Sequence, residues 1–163
     1  MEPVASIDLA ALVRAAGDAI VVADPEGLVR FWNPAAERIF GFTEAEALGQ
    51  SLDLIIPERF RARHWAGYRE VMQTGVTRYG TDILRVPAVR KDGQRISIAF
   101  TVALLKDAGG RVTGIAAIMR DETTRWEEEQ ALRRRLAELE QALGVRLHRR
   151  TVERLVAGLR ERR

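Results

Sequence analysis

From Arg95 to Leu105 the side chains change character at every step: Ile96, Ile98, Phe100, Val102 and Leu104 alternate with Ser97, Ala99, Thr101 and Ala103. A period of two is the pattern of a strand, and an apolar face opposite one of small residues fits a sheet covered on one side. Two more strand-like runs flank it, Arg78 to Val89 and Val112 to Met119, across the turn sequences Arg90-Lys91-Asp92-Gly93 and Asp107-Ala108-Gly109-Gly110. Upstream, Asp18 to Ala23 and Leu28 to Trp32 read as a hairpin around Asp24-Pro25-Glu26-Gly27. Pro presets its own φ in such a turn, and Gly accepts φ > 0.

Helix signals fill the gap between hairpin and strands. Asn33-Pro34 supplies a capping side chain and a proline at the first helical position, where no intrahelical bond is lost. Thr43 with Glu46 three places on is a second cap, and Pro57 opens a longer helix that runs to about Gln73 and stops at Thr74-Gly75. Ser6 and Asp8 precede a short amphipathic stretch, Leu9, Leu12, Val13 and Ala16, closed by Gly17, and a long helix starts near Thr124. The order is two strands, several helices, three strands: an α+β fold in which helices cover one face of an antiparallel sheet.

With 163 residues, 47% of them hydrophobic, the chain has material for one domain and an extension. It contains no cysteine, which excludes disulfides, thiolate metal sites and cysteine–flavin photochemistry. There is no export signal at the N-terminus and no apolar run of membrane-spanning length, so a cytoplasmic location is expected. No phosphate loop, H-E-x-x-H or G-x-S-x-G motif is present, so the chain is expected not to be an enzyme. Residues 133–163 hold ten Arg and four Glu, an excess of +6 in a chain of net charge +3. The basic character belongs to the tail.

The segments Phe31-Trp32-Asn33-Pro34-Ala35-Ala36-Glu37-Arg38-Ile39-Phe40-Gly41-Phe42, Arg90-Lys91-Asp92-Gly93 and Arg120-Asp121-Glu122-Thr123 resemble the PAS family of sensory modules. The resemblance implies a five-stranded antiparallel sheet, a helical cap, a ligand or cofactor cavity between them, and signalling through flanking helices in dimers. It divides the chain into an N-terminal cap (1–17), a PAS domain (18–123), a coiled-coil signalling helix (124–143) and a basic helical tail (144–163). Asp121 and Thr123 fall where the family relays the signal to its exit helix, with Glu122 in place of the usual aliphatic residue.

His64 lies on the long helix where the resemblance places the proximal haem ligand of oxygen-sensing PAS domains, and a neutral imidazole facing an apolar cavity suits haem iron. The cofactor-binding set expected on that basis is His64, Tyr68, Leu84, Phe100 and Val102, with His64 as the iron ligand. Where oxygen sensors of the family carry an arginine over bound O₂ this chain has Leu84, Arg85 falling on the opposite face, and where some supply a methionine it has Asp82. CO or NO sensing is therefore expected ahead of tight O₂ binding. A different reading of His64 is a half-exposed surface residue of an arginine-rich helix, with Trp65 and Tyr68 as packing residues.

Leu132, Leu136, Leu139, Leu143 and Leu147 are spaced as an apolar helical seam, interrupted at Gly144; such a seam can lie back on its own sheet or run as a solvated linker, and a parallel coiled-coil homodimer, which matches what the resemblance implies, is the expected arrangement. Two other functions stay open: a cofactor-free dimerisation adaptor, and a small transcriptional regulator binding nucleic acid through the tail. In the tail, Ala142-Leu143-Gly144-Val145 and Thr151-Val152-Glu153-Arg154-Leu155 faintly resemble a helix-turn-helix, and His148 reads as a solvated residue.

Overall fold

Four residues close the first hairpin. Asp24 Oδ1 accepts from the Glu26 and Leu28 amides at 3.1 and 2.9 Å, and Gly27 takes φ +81°, a conformation that glycine adopts without a Cβ penalty. Ala19–Ala23 (β1) and Val29–Trp32 (β2) thereby pair antiparallel. The computed structural model describes residues 7–143. With Leu84–Val89 (β3), Arg95–Lys106 (β4) and Val112–Asp121 (β5), the hairpin completes a five-stranded sheet in the order β2-β1-β5-β4-β3, with every pairing antiparallel.

The helices begin and end where their capping chemistry allows. Leu9–Ala15 (α1) is capped by Asp8, and Pro34–Phe40 (α2) by Asn33 with Pro34 in its first turn. Glu44–Ala47 (α3) carries a reciprocal box between Thr43 and Glu46. A hydrogen bond from Lys91 of the β3–β4 turn holds the Glu46 carboxyl down at about 2. A 3₁₀ turn, Leu52–Leu54, leads into Glu58–Thr74 (α4), which ends on left-handed Gly75. Asn33 is fully buried, and all of its side-chain polar groups are used. Its Oδ1 accepts from the Ile20 and Ala36 amides at 2.9 and 3.0 Å, while Nδ2 donates to the Val13 and Asp18 carbonyls at 3.2 and 3.0 Å. One side chain thus ties α1, β1 and α2 together.

Register sorts the two faces of the sheet. Trp32, Val21, Ala117 and Val102 lie in one inner row, and Ala19, Met119, Phe100 and Leu84 in the next. The alternate set, including Ile118, Thr101, Ala99 and Arg85, is on the outer face. Trp32, Phe40, Ala36, Ala47, Leu52, Ile96, Ile98 and Met119 form the core between the inner face and the small helices.

Three expectations need correction. The strand expected from Arg78 begins at Leu84, because the Asp82 amide closes a turn on the Tyr79 carbonyl at 2.7 Å with Gly80 at φ +52°. β5 runs on to Asp121, paired with Ile98, instead of ending at Met119. The apolar stripe of α1 is not inside: Leu9 and Leu12 are 69% and 60% exposed, and Asn33 holds the helix through its backbone instead.

Thr123–Leu143 (α5) forms a unit separate from the sheet domain. It has no buried residue; Leu132 and Leu136 are half-buried, and Leu139 and Leu143 are exposed. Ion pairs Arg125–Glu122 and Arg133–Glu129 line its polar side. No helix among the described residues is long and apolar enough to cross a membrane. The basic tail (144–163), with Leu147, His148 and the helix-turn-helix-like string beyond Leu143, lies outside the described residues.

Candidate functional site

The inner face is unevenly covered. Ala19, Val21, Trp32, Ile96, Ile98 and Met119 are buried, whereas Leu84, Phe100, Val102, Leu104, Ile115 and Ala117 are only half-buried. These six make a half-covered apolar floor, of which Phe100, Ile115 and Ala117 pack against the core cluster. α4 is tied to the turns at the end of the sheet. The Trp65 ring sits on Gly27, where a Cβ would come within 2.3 Å of the indole, and the Tyr68 hydroxyl donates to the Asp24 carbonyl at 2.5 Å. At the other end Lys106 Nζ donates to the Gly75 carbonyl at 3.2 Å. The helix is therefore tied to the β1–β2 turn through Trp65 and Tyr68 and to the end of β4 through Gly75.

On α4, His64 lies between two aromatic rings, edge-on to Trp65 at 4.8 Å between centroids and 5.7 Å from Tyr68. Its Nδ1 is buried and has no hydrogen-bond partner among the described residues. Burial lowers the imidazole pKa, against the opposing charge of Asp53, and favours the neutral ring. A neutral imidazole has one nitrogen donor and one acceptor, and a buried polar atom left unpaired costs about 1–3 kcal/mol. Among the described residues no group repays that cost at His64.

Tyr68 behaves differently. Burial, together with the Asp24 and Glu26 carboxylates, pushes its phenol well above the ordinary value, and the hydroxyl is already committed to Asp24. It anchors α4. Leu84 pairs with Phe100, and Val102 follows on the same face; Arg85 pairs with Ala99 on the outer face. Leu84, Phe100 and Val102 thus share the inner face of the sheet, and His64 lies with Tyr68 on α4. Asp121 ends β5, and Thr123 begins α5. Leu104, Ile115 and Ala117 join the floor without having been singled out, although the alternation of β4 already placed Leu104 with Phe100 and Val102. Asp53, Asp24 and Gly27, which hold α4, carried no local signal beyond turn chemistry.

A histidine-ligated haem takes a neutral imidazole nitrogen beside an extensive apolar surface. His64 and the six-residue floor meet that description in chemical type. Among the described residues there is no cluster of three or more His, Cys, Asp or Glu that would hold a free metal ion.

Comparison with known proteins matches the PAS fold over residues 7–121. Sensor protein FixL of Bradyrhizobium diazoefficiens is 29% identical over 138 residues, which are 83% of this chain and 26% of that protein. Oxygen sensor protein DosP of Escherichia coli is 29% identical over 105 residues, 64% of this chain and 13% of that one. This chain therefore spans about a quarter, or less, of the length of these relatives. Among solved structures, the PAS domain of a Colwellia psychrerythraea protein superposes with a TM-score of 0.62 at 22% identity, covering 71% of this chain and 94% of that one.

Proposed function

This chain belongs to the PAS family, and on that premise we propose that it is a non-catalytic sensory module whose ligand is held between α4 and the apolar floor, with haem as the cofactor. The observation that carries this reading is the buried, unpartnered Nδ1 of His64, whose ring is kept neutral by burial; the half-covered apolar residues of the inner sheet face support it. Two of its relatives bear the names of a sensor and an oxygen sensor, which supports the same class of function.

Haem, when bound, supplies an iron centre whose electronic state responds to a diatomic gas. His64 is the residue that would hold it, and Leu84, Phe100, Val102, Leu104, Ile115 and Ala117 would exclude water from its faces. These floor side chains offer no hydrogen-bond donor, and Arg85 is on the outer face, so the module favours CO or NO over O₂. Signalling requires the ligand to prefer one arrangement of the sheet, because equal binding to both shifts nothing. The output is the strand-to-helix step at Asp121 and Thr123. We place the homodimer contact along Leu132, Leu136, Leu139 and Leu143, which no part of α5 buries in one chain. Reconstitution with haemin tests the reading: a Soret band is expected for the full chain and is lost in His64→Ala. Absence of a band, or a band indifferent to that substitution, contradicts the haem assignment.

A further inference from the structure

His64 does not set its own orientation. Its ring is flanked by Trp65, and Trp65 is fixed from outside the helix. The indole Nε1 donates to Asp53 Oδ1 at 2.8 Å, from the 3₁₀ turn that precedes α4. Arg61, one helical turn before Trp65, returns to the same residue: its Nη2 donates to the Asp53 carbonyl at 3.0 Å, and its Nε lies 3.7 Å from the carboxylate. A second bond from Arg61 Nε reaches the Ile56 carbonyl at 3.1 Å. Residues 61 and 65 are four apart and share a helix face, so Asp53 grips the turn of α4 that carries His64 on both sides of it.

The grip is directional. With its edge bonded to Asp53 and its six-membered ring seated on Gly27, the indole has little rotational freedom, and it presents a fixed wall to the imidazole at 4.8 Å. The Asp53–Arg61 pair is partly exposed and contributes little to stability by itself. Its consequence is positional. We propose that Asp53 is the positioning residue of the ligand site, acting through the Trp65 indole to hold the His64 ring in its ligand-ready orientation. This rests on the reading of His64 as the ligand-binding residue.

Partners that orient a ligating histidine typically matter about tenfold or more in affinity. Three variants of the full chain separate the routes. Asp53→Ala removes the acceptor; Asp53→Asn keeps an oxygen to accept from the indole; Trp65→Phe keeps a ring but loses the N–H. Haemin titration is expected to show about tenfold weaker binding for Asp53→Ala and Trp65→Phe, no further loss in the double variant, and near wild-type binding for Asp53→Asn. The ring signals of His64 in the haem-free protein, assigned with His64→Ala, provide a second readout. They should move together in Asp53→Ala and Trp65→Phe and stay closer to wild type in Asp53→Asn. Unchanged affinity in Asp53→Ala, losses that add in the double variant, or an unmoved His64 ring would overturn the proposal. If wild type itself takes no haemin, the haem reading fails, and the ring signals still decide whether Asp53 orients His64.

Discussion

Two halves of one inner sheet face are built to different standards. Where β1 and β2 meet α2, α3 and the 3₁₀ turn, Trp32 and Phe40 are fully buried with ring centroids 5.4 Å apart, and Asn33 spends every polar group on backbone. Toward the start of β3, the latter part of β4 and the first half of β5, the residues are as apolar but only half-covered, and on α4 the buried Nδ1 of His64 is left unpaired. Close packing and full hydrogen bonding are what stability requires. The second half departs from both, and such departures mark sites where function competes with packing.

The largest expected effect sharpens that contrast directly. Trp32→Ala, in the closed half, should cost about 3–5 kcal/mol in chemical denaturation, since it removes a large ring and leaves a cavity. Phe100→Ala, on the floor, should cost about 1 kcal/mol, because a half-buried ring loses less contact and leaves no sealed void. Equal losses would erase the distinction between the halves.

A smaller effect, of opposite sign, belongs to His64. Replacing it with leucine removes an unpaired buried polar atom and should raise stability by about 1 kcal/mol while abolishing ligand binding. The pH dependence follows from the depressed imidazole. Well above pH 6.5 neither state carries the proton. As pH falls below about 6.5 the unfolded chain protonates first, so stability drops until the lower, folded value is passed. Denaturation midpoints should therefore fall across that window in wild type and stay flatter in His64→Leu. Parallel curves would show that the ring is not desolvated.

Local chemistry made much of the closed half legible in sequence. Asn33-Pro34, Thr43 with Glu46, Pro57 and Gly75 each act within a few residues, and each element begins or ends as they dictate. The start of β3 was misread because Arg78 to Ile83 has strand-like composition while Gly80 and the Tyr79–Asp82 turn decide its conformation. The stripe on α1 was legible as a pattern but not as exposed, since exposure depends on what lies opposite. At the site the same divide applies. The floor of β4 is readable from alternation and His64 stands out through the family resemblance, whereas the Trp65–Gly27 and Tyr68–Asp24 contacts join segments 38 and 44 residues apart and leave no periodic trace.

Methyl NMR of the full chain, titrated with metal-free protoporphyrin as a diamagnetic probe, tests most directly whether the half-covered floor is the ligand site. The account predicts that the methyl signals of Leu84, Val102, Leu104 and Ile115 shift on binding while those of Val21 and Ile96 stay in place. Shifts confined to the closed half or to the outer-face Ile118, with the floor unmoved, would contradict it.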